Sequence, residues 1–237
     1  MDRQAQVEKA QQATESQVRD DPAARALLQA VHARMYKWPA SFAGYQAVLR
    51  VNDEGQLFTG VVTVVPKQPV VVQLEAEEAL RTWVQERLST QTMHLVHTPF
   101  EEGDGRYVLT FDHTAEATTR HPRGVCVRLH GGRMASWYRI AEERYTQISR
   151  TIPGQHRQVN TIERYDSAPD GRLFASYYVM TYFRGPDLTL AGMESYSNAF
   201  IDVQGLLLPC QRVISSAAHA TVRTRVISLS AHRLHGN

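Results

Sequence analysis

The stretch AGYQAVLRVNDEGQLFTGVVTVV, residues 43–65, decides the fold. Ala43, Tyr45, Ala47, Leu49 and Val51 recur at every second position. Successive side chains of a strand point to opposite faces, so this period of two marks a half-buried strand. Asn52, Asp53, Glu54 and Gly55 supply the turn, and residues 57–65 return with Thr59 and Thr63 set among valines. Pro66-Lys67-Gln68-Pro69 then turns the chain into a third short run, residues 70–74, which makes a β-meander.

Upstream, the period is 3.6. Asp20-Asp21-Pro22 reads as a helix start, with a capping Asp and Pro at the first helical position. Ala24, Leu27, Leu28, Val31 and Met35 then recur at spacings of three and four, one buried face of a helix ending near Tyr36, with Pro39 as the stop. Downstream, residues 75–96 are helical again. Glu75, Glu77 and Glu78 complement the dipole of the first turn, and Leu80, Val84 and Leu88 form the stripe with Trp83 beside it. Nearly everything after residue 105 reads as strands, with short breakers such as Gly131-Gly132, Pro153-Gly154, Ala168-Pro169-Asp170-Gly171 and Gly185-Pro186-Asp187. Short connections force antiparallel neighbours, because a parallel crossover needs a dozen residues or more. The expectation is an α+β protein: a large, curved antiparallel β-sheet, a half-open barrel, wrapped around two α-helices.

Residues 1–21 are polar all round, with Val7 and Val18 as the sizeable apolar side chains. A helix without an apolar stripe bridges solvent or rests on a partner. The expected organisation is therefore a polar helical extension over 1–21 and a single domain over 22–237.

The chain has 237 residues, with 26 basic and 24 acidic side chains and a formal charge of +2. This near balance argues against a nucleic-acid partner. Of the basic residues 23 are Arg and 3 are Lys, a choice suited to ion pairs and interfaces. No apolar run approaches the ~18–20 residues that span a bilayer. The first 21 residues lack the apolar centre of a secretory leader, so the expected location is the cytoplasm.

Ten histidines invite a search for metal, and His94 and His97 are close enough to share a helix face. No third ligand follows at suitable spacing, so no metal and no cofactor is expected. Neither a nucleophile elbow nor a phosphate-binding glycine loop is present. No catalytic residues are expected, and the chain reads as a non-enzyme.

Two distributions carry the binding expectations. The run 172–184 holds Phe174, Tyr177, Tyr178, Tyr182 and Phe183, so aromatic side chains point to both faces of one strand. With Trp137, the residues Phe174, Tyr178 and Tyr182 are the candidate lining of a groove for a lipophilic ligand, a lipid or a pigment. Residues 203–237 contain no acid but carry Arg212, Arg223, Arg225 and Arg233, which with Val7 and Val18 form the candidate partner-binding set.

The runs YKWPASFAGY (36–45) and FTG (58–60) resemble the opening of an uncharacterised protein family of cyanobacteria and chloroplasts, a domain of unknown function. The resemblance continues through HLVHTPFEE (94–102), SWY (136–138), QISR (147–150), SY (195–196), LP (208–209) and RVI (212–214), spanning about residues 24–216. Thr98 stands where that family tends to place Arg. The order of elements also resembles the lipoprotein-carrier half-barrels, in which a half-open barrel holds acyl chains against its helices. The family resemblance implies a setting in oxygenic photosynthesis. In that setting the helix-forming segment 1–21, which has no core-facing stripe, points to an accessory, scaffold or assembly protein of an antenna or photosystem, acting by protein–protein binding at the cytoplasmic face of the thylakoid or plasma membrane. The alternative is a carrier of a lipid, carotenoid or tetrapyrrole in the concave sheet.

Overall fold

The computed structural model describes residues 18–113, 121–131, 134–152, 156–218 and 220–236. Among the described residues two α-helices, α1 (Pro22–Arg34) and α2 (Glu78–Met93), accompany twelve strands. The first four strands are β1 (Tyr45–Asp53), β2 (Gln56–Val64), β3 (Val71–Leu74) and β4 (Val108–Phe111). Next come β5 (Val125–His130), β6 (Ala135–Ala141), β7 (Arg144–Ile152) and β8 (His156–Ser167). The last four are β9 (Leu173–Arg184), β10 (Thr189–Val203), β11 (Leu206–Ala218) and β12 (Thr221–Leu234). They form one open antiparallel sheet in the order β3-β2-β1-β12-β11-β10-β9-β8-β7-β6-β5-β4. From β4 to β12 the chain is a plain meander. The amino-terminal meander joins its far end, because β1 pairs with β12 in the register Leu49↔Leu229 and Asp53↔Arg225.

Both helices are shorter than their sequence periodicity suggests, and in each case backbone pairing takes the end residues. Tyr36 donates its N–H to the Leu173 carbonyl at 2.7 Å, which ends α1 at Arg34. The N–H of Glu75 goes to the Thr59 carbonyl at 3.2 Å, which holds that residue on the sheet and delays α2 to Glu78.

The chain forms two compact units. One comprises residues up to 34, 98–161 and 181–190. Here the Asp21 carboxylate accepts from the N–H groups of Ala23 (2.8 Å) and Ala24 (3.3 Å), capping α1. Ala24, Leu28 and Val31 are the buried face of α1. They share this unit with the buried Leu109, Val127, Tyr138 and Ile140.

The other unit comprises residues 35–97, 162–180 and 191–237. Strand β1 alternates as expected, with Tyr45, Ala47, Leu49 and Val51 buried and Gln46, Val48 and Arg50 exposed. Leu80, Val84 and Leu88 of α2 join them in one core with Val62, Val64, Val72, Leu74, Ile214, Ile227 and Leu229. An isolated helix of 16 residues is marginal in water. Each such Val or Leu contributes ~1.5–3 kcal/mol on burial, so packing on the sheet holds α2 in place.

Candidate functional site

The second unit contains the site. Three strands and α2 contribute polar side chains to an otherwise apolar layer. On β10 the period of two puts Glu194, Tyr196 and Asn198 on one face. Asn198 lies opposite Arg212 of β11, and Tyr196 opposite Ile214. From α2, Arg87 and Gln91 are four residues apart and so share one side of the helix.

Arg212 is the centre of this group. It is 2% exposed. Its Nη1 donates to the Arg87 carbonyl at 2.8 Å and its Nη2 to the Tyr178 hydroxyl, while its guanidinium carbon lies 4.6 Å from the Tyr196 ring centroid. Tyr178 stacks on Tyr196 with centroids 4.7 Å apart and planes 16° from parallel. Burial raises the Tyr178 phenol above its ordinary pKa, so it stays neutral beside the arginine at physiological pH.

Glu194 accepts from Arg87 at 2.8 Å and from the Tyr196 hydroxyl at 2.6 Å. Gln91 donates to the Asn198 side-chain oxygen at 3.3 Å. A few residues further along the sheet, Asp53 accepts from Arg223 (2.9 and 2.6 Å) and Arg225 (3.0 Å). Arg225 also lies 4.4 Å from the Trp83 ring centroid, and Arg87 lies 5.7 Å from the same ring. On the apolar side, Phe174 and Phe200 meet at 4.5 Å, and with Tyr178 and Met180 they pack half-buried against the core.

Of the sequence candidates, Phe174 and Tyr178 belong to this unit, whereas Trp137 and the half-buried Tyr182 fall within the other. Trp137 donates its indole N–H to Asp112 at 2.9 Å and lies under Arg128. Among the partner-binding candidates, Arg212 is a correction: it is interior, because its neighbours on β10 and α2 offer it a carbonyl, a hydroxyl and a ring face. Arg223 and Arg233 are exposed, Arg225 and Val18 half-buried, and Val7 lies outside the described residues. Sequence reading missed Arg87, Glu194 and Asn198. Their signal was available as polar side chains at positions where the strand period and the helix stripe call for apolar ones.

Among the described residues no group of three or more His, Cys, Asp or Glu could hold a metal ion. His94 and His97 are both exposed. No described helix is long and apolar enough to cross a membrane.

The sequence pattern of the family described as "Protein of unknown function (DUF3386)" matches residues 19–234. The chain belongs to this family. The match covers α1 through β12 and so includes the whole arginine–tyrosine cluster of the DUF3386 chain. No curated protein matches it. Solved structures resemble it loosely. A domain described as an outer membrane lipoprotein-sorting protein, from Vibrio parahaemolyticus, superposes with a TM-score of 0.41 at 7% identity, over 91% of this chain and 93% of that one. A LolA superfamily protein from Nitrosomonas europaea gives 0.29 at 10% identity, with 90% and 94% covered. A DUF1329 family protein from Desulfovibrio piger gives 0.28 at 10%, with 93% and 95% covered.

Proposed function

We propose that this DUF3386 protein binds and carries a lipophilic small molecule, without catalysing a reaction on it. The observation that supports this most is the burial of β9. A central strand with one face on a packed layer alternates between buried and exposed, as β1 does. On the part of β9 that lies in the second unit only Ser176 is fully buried, and the residues from Leu173 to Met180 otherwise stay half-buried on both faces, the aromatic Phe174, Tyr177 and Tyr178 among them. Half-covered aromatic surface in mid-sheet is what a lipophilic ligand can finish covering. In the second unit the polar cluster around Arg212 lies next to Tyr178 of that strand, so an apolar body and a polar end can be recognised together.

An accessory role at a photosynthetic complex would draw on the basic end of the chain. Arg223 and Arg225 are tied to Asp53, and Arg212 is interior, which leaves that surface with less free charge than the sequence suggests. The carrier reading is therefore the better supported of the two.

The test is saturable binding of the neutral apolar dye N-phenyl-1-naphthylamine to the purified full chain, read by fluorescence. Expected is a single class of sites whose affinity falls about tenfold in Phe174→Ala, equivalent to ~1.4 kcal/mol. Fluorescence that rises linearly without saturation would overturn the reading.

A further inference from the structure

Around Arg212, four arginines of the second unit stand among three carboxylates, which leaves one cation over. Arg87 pairs with Glu194 at 2.8 Å. Arg223 and Arg225 share Asp53, and Glu54 stands 3.8 Å from Arg223. Arg212 is the most buried of the four, yet its partners are a carbonyl, a phenol and a ring face, and no described carboxylate forms a salt bridge with it. Buried charges are ordinarily paired, because desolvating a lone ion costs several kcal/mol. A second, independent feature marks the same place. The Nε atoms of Arg212 and Arg87 and the Oε1 of Gln91 are buried without a hydrogen-bond partner. Two of these orphans are donors on arginines already joined by a hydrogen bond, and Arg212 and Gln91 are more than nine-tenths buried.

Resting on the carrier reading above, we infer that this cluster is the head-group site for a long-chain monocarboxylate. One uncompensated positive charge matches one negative charge. A carboxylate oxygen accepts from a guanidinium Nε in a charge-assisted bond, which is about twice as strong as a neutral one. The half-buried Tyr178, Phe174, Phe200 and Met180 then provide the apolar surface for the chain. Arg87, whose side chain is 25% exposed, connects the cluster to solvent.

The experiment compares oleate, oleyl alcohol and acetate as competitors for N-phenyl-1-naphthylamine bound to the full chain. Oleate should bind at least tenfold tighter than the alcohol, with acetate far weaker than either. Arg212→Gln should remove the preference for oleate over the alcohol, and Glu194→Gln, which takes away the acid that neutralises Arg87, should enlarge it severalfold. The second variant keeps the test decisive if the first does not fold. Equal affinities of wild type for oleate and the alcohol would overturn the head-group assignment and leave the carrier reading in place. Acetate competing as well as oleate would also overturn it. Failure of both long-chain compounds to bind would overturn the carrier reading itself.

Discussion

The indole N–H of Trp38 donates to the backbone carbonyl of Leu207 at 2.9 Å, across 169 residues of sequence. The Leu207 N–H in turn donates to the Tyr36 hydroxyl at 2.9 Å. One residue of β11 thus has both backbone groups satisfied by side chains from a Tyr-Lys-Trp run. The reason is the sheet ladder. The register between β11 and β12 runs from Gln211↔Ser228 to Ala218↔Thr221, so Leu207 lies beyond its end. A buried peptide left there without partners would cost ~1–3 kcal/mol per group. Tyr36→Phe should therefore destabilise the protein by ~1–3 kcal/mol, and Trp38→Phe by ~2–4 kcal/mol because a void is added to the lost donor. Both are measurable by denaturant unfolding. The two effects should not add, since both act on one peptide.

Gly44 sits at φ +108, and a Cβ there would lie 2.1 Å from the backbone oxygen of Val64. That oxygen belongs to the residue paired with Tyr45, so it cannot move aside without disturbing β1 and β2. Gly44→Ala is expected to cost at least ~2–3 kcal/mol, from strain and clash together. Gly55 offers the control. It too has positive φ, but nothing lies within 4 Å of its added Cβ, so Gly55→Ala should cost clearly less in the same unfolding assay.

Asp53 gives the protein a defined acid limb. Burial opposes its charge, but hydrogen bonds from Arg223 and Arg225 outweigh burial and hold its pKa below the ordinary 3.8. The unfolded chain then takes up the proton more readily than the folded one. The stabilisation is fully present above the unfolded value and fades as pH falls through the lower folded value. Asp53→Asn should cost ~1–3 kcal/mol at neutral pH and flatten the loss of stability below about pH 4. Thermal melts of both proteins from pH 7 to pH 3 would check this, and parallel curves would refute it.

The elements of this fold were legible because each carries a local period. The turn at residues 52–55, the Leu80-Val84-Leu88 stripe and the nine strands after residue 105 follow from spacing alone. The pairing of β1 with β12 was not legible, because strands separated by some 170 residues leave no signature of contact in either one. The site was half legible. Aromatic Phe174 and Tyr178 stood out on β9, whereas Arg212 read as a surface charge in an acid-free tail. Its burial depends on a carbonyl from α2 and a phenol from β9, and neither can be inferred from β11 alone.

The boundary of the folded chain at its amino end can be tested within a few residues. The sequence places that boundary after Asp21, with residues 1–21 as a partner-binding extension. Asp20 and Asp21 nevertheless make several bonds to the first unit. Leu109 donates its N–H to the Asp20 carboxylate, and Asp21 donates its N–H to the Leu109 carbonyl, both at 2.8 Å. Arg25 grips Asp20 through Nε (2.7 Å) and Nη2 (2.9 Å), and donates through Nη1 to the Gly105 carbonyl at 2.7 Å. The Arg25 hydrogen bond is the main reason the Asp20 pKa lies below its ordinary value. A chain beginning at residue 19 keeps all of these bonds. One beginning at Pro22 loses the helix cap, worth ~0.5–2 kcal/mol, together with the three charge-assisted bonds to Asp20 and the backbone pairing to β4. The longer chain should melt within a degree or two of the full protein, and the shorter one several degrees lower, since ~1 kcal/mol shifts Tm by ~2–4 °C at this size. Equal melting temperatures for the two truncations would place Asp20 and Asp21 outside the cooperative fold.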